Sequence, residues 1–186
     1  MWSRLAPGII YLTIFILSGV INTSACLTGI ASMDASLVMR GEVWRVFTGH
    51  LTHLNWMHYA LDAPIFCFVF LVYERNAGGF NSIYLTVFSA ITVSSAVIIM
   101  GIHQVYAGLS GLTCAGIAAV LLKMVMDSPR RILPYMLAIA FLVYLLFLQE
   151  TGNGLNVAKE AHVAGTLSGL IYEFIRQQTC ASTSKA

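Results

Sequence analysis

The sequence predicts an all-α integral membrane protein with six transmembrane helices. Of its 186 residues, 58% are hydrophobic and only 10% are charged, and the mean hydropathy of +0.80 is too apolar for a soluble domain. The apolar residues fall into six long runs, and each run can cross most of a hydrocarbon core about 30 Å thick at about 1.5 Å per residue. The runs cover about residues 7–26, 52–73, 81–101, 109–126, 132–149 and 159–177.

The first run is long for the core of a signal peptide and further runs follow it, so we interpret it as a retained helix. The connection after it, about residues 27–51, is too long for a simple turn. We expect it to have structure of its own at the membrane interface, with Trp44 and Phe47 as anchors. The runs predict a single membrane domain over residues 1–178, and residues 179–186 a short polar tail.

Positive charge predicts the orientation in the membrane. An even number of spans puts both termini on one side, and that side carries seven of the ten Lys and Arg residues: Arg4, Arg75, Lys123, Arg130, Arg131, Arg176 and Lys185. Only Arg40, Arg45 and Lys159 lie on the other side. By the positive-inside rule, both termini are cytoplasmic.

Charge and cysteine usage exclude several kinds of site. A net charge of +2 without a long basic run does not indicate nucleic-acid binding. The four cysteines have no paired spacing, so they indicate neither a disulfide framework nor a zinc knuckle. His50 and His53 have the spacing of a metal-ligand pair, but the His-Glu-x-x-His motif is absent. We therefore favour hydrogen-bonding roles for both histidines and predict no metal.

The segment Gly108-Leu109-Ser110-Gly111 places a lone serine between glycines at the start of the fourth run. Its hydroxyl would lie at a helix N-terminus, where unpaired N–H groups can receive developing negative charge. That is a favourable place for a nucleophile. The same residues also fit a membrane helix that begins with small packing residues, so the segment alone leaves both interpretations open.

Topology brings further polar residues to the level of Ser110. Runs two, four and six all begin on the outer side, so the histidines that open run two and His162 in run six lie at a similar depth. Small residues line one face of run four and one face of run six: Ser110, Gly111, Cys114, Ala115, Ala118 and Ala119 on the first, and Gly165 and Gly169 beside His162 on the second. Close packing of these faces would bring the His162 ring to the Ser110 hydroxyl.

Glycine faces are ordinary in membrane packing, but ionisable groups inside a membrane are costly and tend to be functional. His162 therefore favours a site over mere packing. His58 and Asp62 are two further ionisable residues, four residues apart on one face of run two.

These segments together resemble the rhomboid intramembrane serine proteases over about residues 40–177. The resemblance rests on Trp44-Arg45, the spacing from His53 to His58 to residue 62, Gly108-Leu109-Ser110-Gly111, and His162-x-x-Gly165-x-x-x-Gly169. Within that family the chain is most similar to the rhombosortase branch, whose members process proteins with a C-terminal Gly-Gly tail signal. That similarity lies in the short six-span chain and in Arg40-Gly41-Glu42-Val43-Trp44-Arg45, which leads into Thr48-Gly49-His50 and His53-Leu54-Asn55.

The resemblance implies a six-helix rhomboid-like bundle with Ser110 as nucleophile and His162 as general base. It implies an oxyanion hole formed by His58, Asp62 and the backbone N–H groups of Leu109 and Ser110. No cofactor is needed for this chemistry. The residues that would support the site structurally are His53, Gly108, Gly111, Gly165 and Gly169.

The resemblance also implies partners and a location. The substrates would be membrane-anchored proteins with a C-terminal transmembrane tail, and the chain would lie in the lipid bilayer of a bacterial inner membrane. The active site would open to the periplasmic side. No carboxylate is placed to orient His162, since Glu160 is two residues earlier and faces elsewhere on the helix, so a Ser–His dyad is expected.

Two positions depart from the family pattern. Asp62 stands where rhomboids commonly have asparagine, and Cys114 stands where many have an aromatic residue one turn below the serine. An ionised Asp62 would repel an oxyanion, so we expect it either to be a neutral acid or to turn towards His58. Cys114 would leave the His162 ring without an aromatic stacking partner.

Three other kinds of protein stay open on the sequence alone. A non-catalytic rhomboid-like chaperone would share the fold, although it would not need both Ser110 and His162. A small transporter could use His58, Asp62 and His162 as a proton relay, and substrate flux in proteoliposomes would reveal it. A metalloprotease would lose activity with a chelator.

Overall fold

The computed structural model describes residues 2–100, 105–147 and 159–183, which are mostly helical. The helices are α1 (Trp2–Ile21), α2 (Ala25–Ala31), α3 (Ala35–Met39), α4 (Arg45–Thr48), α5 (Trp56–Ala77), α6 (Asn81–Met100), α7 (Ser110–Asp127), α8 (Ile132–Phe147) and α9 (Lys159–Thr183). A 3₁₀ turn covers Gly49–Leu51, and two short strands are β1 (Met33–Asp34) and β2 (Val105–Tyr106).

Each predicted apolar run overlaps one of the six long helices, α1 and α5 to α9. Of the described helices, α5, α6 and α7 are long and apolar enough to cross a membrane, and shorter apolar helices cover Leu5–Ile21 and Ile132–Leu145. The prediction of a helical membrane protein is therefore confirmed, while the number of spans stays a prediction.

Some predicted segments lie outside the described residues. These are the connection at His103 and Gln104, most of the connection from residue 149 to 159, and Lys185. Helix α9 continues to Thr183 and so extends into the polar tail predicted from residue 179.

The connection after α1 has structure of its own, as its length predicts. It contains α2, β1, α3, α4 and the 3₁₀ turn. The buried Arg45 guanidinium fastens it, because it donates to Glu42 at 2.7 Å and to the carbonyl oxygens of Gly29 and Ser32 at 2.9 and 2.6 Å. Trp44 and Phe47 are each 47% exposed, a position suited to interfacial anchors.

The two strands join this connection to the segment that precedes α7. Strand β1 pairs antiparallel with β2, so that Met33 faces Tyr106 and Asp34 faces Val105. Met33 is fully buried and Tyr106 nearly so. The segment that leads into Ser110 is thereby fixed to the connection after α1.

Helix α7 occupies the centre of the bundle and packs against α5, α6, α8 and α9. Its closest neighbour is α9, because two glycines of α9 lie against the backbone of α7. A Cβ atom on Gly165 would overlap the Gly111 carbonyl, and one on Gly169 would overlap the Ala115 carbonyl. Only glycine allows this approach, which sets the separation of the two helices.

Two buried carboxylates connect helices at the end of the bundle that lies away from Ser110 and His162. Glu74 accepts the backbone N–H groups of Phe80 and Ser82, each at 2.9 Å, and so caps the start of α6. Glu173 on α9 accepts a hydrogen bond from Tyr73 on α5 at 2.6 Å and pairs with Arg176. Helices α5, α6 and α9 are thus anchored about 16 Å along α9 from His162, at about 1.5 Å per residue.

Candidate active site

Ser110 is the first residue of α7, as the sequence predicts. Leu109 precedes it as the N-cap residue with helical dihedral angles and no capping side chain. The first N–H groups of a helix have no intrahelical partners, so the Ser110 hydroxyl lies beside backbone donors that can stabilise negative charge. The residue is half-buried and so remains reachable.

The His162 side chain reaches Ser110 from α9. Its Nε2 atom lies 2.8 Å from the Ser110 Oγ atom, and His162 is only 3% exposed. In the described part of the chain, His162 Nδ1 is buried without a hydrogen-bond partner. This geometry allows Nε2 to accept the hydroxyl proton directly.

Gly108 brings the loop before Ser110 against two side chains of α5. Its φ of +121° is a conformation that residues with a Cβ atom rarely adopt. A Cβ atom there would lie 3.1 Å from His58 Cε1 and 3.2 Å from Asp62 Oδ2. Glycine at this position therefore lets His58 and Asp62 line the floor of the site.

Asp62 is oriented towards the loop rather than towards His58. Its Oδ2 atom accepts the backbone N–H of Leu109 at 2.7 Å and lies 3.3 Å from His53 Nε2. His58 Nε2 is 3.6 Å away, too far for a hydrogen bond. The Leu109 amide and the Asp62 carboxylate satisfy each other, so in this geometry neither faces an incoming oxyanion.

His50 and His53 face different partners. His50 Nε2 lies 3.1 Å from Ser94 Oγ and 3.3 Å from the Ala90 carbonyl oxygen, both on α6. Burial lowers the pKa of His50 from its ordinary value of 6.5 to about 4, so the ring is neutral at physiological pH. Among the described residues, no group of three or more His, Cys, Asp or Glu side chains could hold a metal ion.

Comparison with known families agrees with this arrangement. The sequence model of the Rhomboid domain matches residues 40–179. The chain belongs to the rhomboid family. A search of curated proteins gave no match. Rhomboid proteases are serine hydrolases that act on membrane proteins within the bilayer, so this chain is an integral membrane protein of a protease family.

The matched rhomboid domain contains Ser110, His162, His58 and Asp62 but excludes α1. Sequence reasoning missed two polar residues at the end of α1 that contact the site. Ser18 and Asn22 lie one turn apart near the end of α1, and both contact His53. Their spacing of four residues on one face of an apolar helix was the signal available in the sequence.

Tyr106 is a third residue of this site that sequence reasoning missed. Its hydroxyl donates to the Gly108 carbonyl at 3.0 Å, and a Cβ atom on Gly111 would lie 3.1 Å from the same hydroxyl. Cys114 lies one turn below Ser110 and is buried. Tyr106 therefore braces the loop before Ser110 from β2, while Cys114 fills only a small volume beside it.

Proposed function

We propose that this rhomboid protein is an intramembrane serine endopeptidase with a Ser110–His162 dyad. The observation that carries the proposal is the 2.8 Å contact between His162 Nε2 and Ser110 Oγ at the first residue of a buried helix. A nucleophile within hydrogen-bond reach of a base, next to unpaired backbone donors, has the parts that acyl transfer needs. Because His162 Nδ1 has no hydrogen-bond partner in the described chain, a dyad fits better than a triad.

The reaction would proceed in two stages. His162 Nε2 takes the proton of Ser110 as Oγ attacks the peptide carbonyl carbon, which forms a tetrahedral oxyanion. Collapse breaks the peptide C–N bond, and His162 returns the proton to the leaving amine. A nucleophile, water in the simplest case, then attacks the acyl-enzyme in the same way and regenerates Ser110.

The oxyanion would be stabilised chiefly by the Ser110 N–H and by His58. Ser110 provides the first amide of α7, and the His58 ring lies against Gly108 with 22% of its side chain exposed. The Leu109 amide could contribute only after leaving Asp62. Asp62 would then act mainly as a holder of the nucleophile loop.

The proposed setting is a single six-span domain over residues 1–178 in a bacterial inner membrane. The excess of Lys and Arg on the terminal side supports cytoplasmic termini and a site that opens to the periplasm. Ser110 and His162 each lie at the start of a long helix that would begin on that outer side.

We further propose substrates of the rhombosortase type, namely membrane-anchored proteins with a C-terminal Gly-Gly tail signal. The support is the sequence from Arg40 to Asn55, in which buried Arg45 braces the interfacial connection and His53 reaches the site. A general rhomboid protease without this preference is the alternative. Two membrane-anchored reporters, one with the Gly-Gly signal and one with the signal replaced, separate the two when each is expressed with the wild-type protein and with Ser110→Ala: a rhombosortase cleaves only the first, and a general rhomboid protease cleaves both.

Covalent labelling tests the chemistry without knowledge of the substrate. A fluorophosphonate probe should label Ser110 in the wild-type protein in detergent or native membranes, and Ser110→Ala should take up none. Ser128→Ala, at the far end of α7, is a matched control and should label like the wild type. Absence of labelling in folded wild-type protein, or equal labelling of Ser110→Ala, would contradict the proposal.

A further inference from the structure

Asn22 directly follows α1 and lies outside the matched rhomboid domain, yet its side chain is oriented by contacts to the site. Its Oδ1 atom accepts the backbone N–H of His53 at 2.9 Å, and its Nδ2 atom donates to the Ser18 carbonyl at 2.8 Å. A backbone N–H only donates and a carbonyl only accepts, so these two bonds fix which end of the amide is oxygen.

The same Nδ2 atom lies 3.2 Å from His53 Nδ1. An amide nitrogen is a donor, so Nδ1 must accept and carries no proton. The Ser18 hydroxyl is 3.2 Å from Nδ1 and 2.7 Å from the Leu51 carbonyl, and it can donate to either acceptor. The contact with Asn22 is thus the one that requires His53 Nδ1 to be unprotonated.

The other side of the ring agrees with this assignment. His53 Nε2 lies 3.3 Å from Asp62 Oδ2, and this oxygen is an acceptor, since it also accepts the backbone N–H of Leu109 at 2.7 Å. Nε2 must therefore carry the proton. The two sides of the ring specify one neutral tautomer, which points a donor at Asp62.

We propose that Asn22 is a positioning residue of the active site, which acts by fixing the His53 tautomer that holds Asp62. Asp62 Oδ2 in turn accepts the N–H of Leu109 at 2.7 Å, and Leu109 is bonded directly to Ser110. The inference rests on the proposed protease function for its catalytic consequence. It assigns α1 a part in shaping the site.

Without Asn22, the His53 ring would no longer be restricted to this tautomer. With a proton on Nδ1 instead, the lone pair of Nε2 would face the Asp62 carboxylate and repel it. Asp62 would shift, the Leu109 amide would lose its acceptor, and the serine would move from its place opposite His162. A displacement of about 1 Å at the reacting atoms can cost on the order of a hundredfold in rate.

Asn76 provides a matched control. Its Nδ2 atom donates to the Val72 carbonyl at 2.7 Å, four residues earlier, as Asn22 does to Ser18. Asn76 is exposed near the end of α5 and far along that helix from Asp62. If Asn22 merely satisfied the end of its helix, the two asparagines would be equivalent.

The tautomer can be read directly by NMR of protein labelled with ¹⁵N-histidine, in detergent near neutral pH. Wild type and Asn76→Leu should show His53 protonated at Nε2 and bare at Nδ1, with His53→Gln used to assign the signals. In Asn22→Asp, which keeps the size but replaces the donor with an acceptor, Nδ1 should gain a proton. A protonated Nδ1 in the wild type, or a bare Nδ1 in Asn22→Asp, would overturn the proposal.

Kinetics tests the catalytic consequence. Asn22→Leu should lower kcat on the order of ten- to a hundredfold with little change in KM, and Asn76→Leu should change neither. Full activity in Asn22→Leu, when Ser110→Ala is inactive, would overturn this proposal and leave the protease function intact. If the wild-type protein showed the expected tautomer but neither cleavage nor probe labelling, the result would contradict the proposed protease function instead.

Discussion

The backbone amide of Leu109 donates to Oδ2 of Asp62 at 2.7 Å, which ties the residue before Ser110 to a carboxyl group on another helix. Asparagine at position 62 could serve the same purpose, because its amide oxygen also accepts. The sequence departs from the family pattern here in side-chain type but retains the acceptor.

Asp62→Asn should therefore keep most of the activity, whereas Asp62→Leu should lose on the order of a hundredfold. The leucine leaves the Leu109 N–H and the His53 Nε2–H without an acceptor in a buried place, so the loop must move. A pH–rate profile of kcat/KM for both variants is the measurement. Loss of activity in Asp62→Asn confined to alkaline pH would instead indicate an ion pair with His58 that serves the oxyanion.

Ser110→Ala and His162→Ala should each abolish proteolysis and leave a folded protein in the membrane. The two side chains share one hydrogen bond and act as a unit, so the double variant should be no worse than either single variant. Cleavage of a membrane-anchored reporter measures the effect, and the melting temperature in detergent checks the fold. Substantial cleavage by Ser110→Ala would reject the assignment of the nucleophile.

Gly165→Val and Gly169→Val should each reduce activity on the order of a hundredfold or more. A side chain at either position overlaps an α7 carbonyl, so α9 must move away and carry His162 with it. Gly8→Val is the control, because nothing lies within 4 Å of a Cβ atom built there on α1. Wild-type rates in both α9 variants would mean that the helix spacing does not govern the Ser110–His162 contact.

The stability of the protein should fall between about pH 6.5 and pH 4, in part because of His50. Burial holds the pKa of His50 near 4 in the folded protein, below the ordinary 6.5, so the unfolded chain takes up the proton first. The contribution of His50 to the free energy of unfolding is fully present above its ordinary pKa and decreases as the pH falls through that window. The melting temperature against pH should have a shallower slope in His50→Gln, and identical slopes would contradict the buried neutral ring.

Much of the site could be predicted because helix periodicity and topology act over long sequence distances. The start of α7 at Ser110 followed from glycines and the change in polarity, and the approach of α9 followed from Gly165 and Gly169. The structure brings the Ser110 and His162 side chains together.

The contacts of Asp62 could not be predicted in the same way. Its spacing of four residues from His58 indicated a pair, but a helix face can turn towards more than one neighbour. The backbone N–H of Leu109 competed for the carboxylate and lies closer than the His58 ring. Backbone donors in a loop have no sequence signature, so this bond could not be read from residue types.

The contact between α7 and α9 has a consequence for how the protein tolerates its surroundings. Where Gly165 meets the Gly111 carbonyl, the two backbones are in direct contact and no side chain lies between them. The distance between His162 and Ser110 is therefore set by contact of two backbones rather than by side-chain packing. Exposed residues of α9 such as Phe174 and Ile175 could therefore be exchanged without a change in this contact.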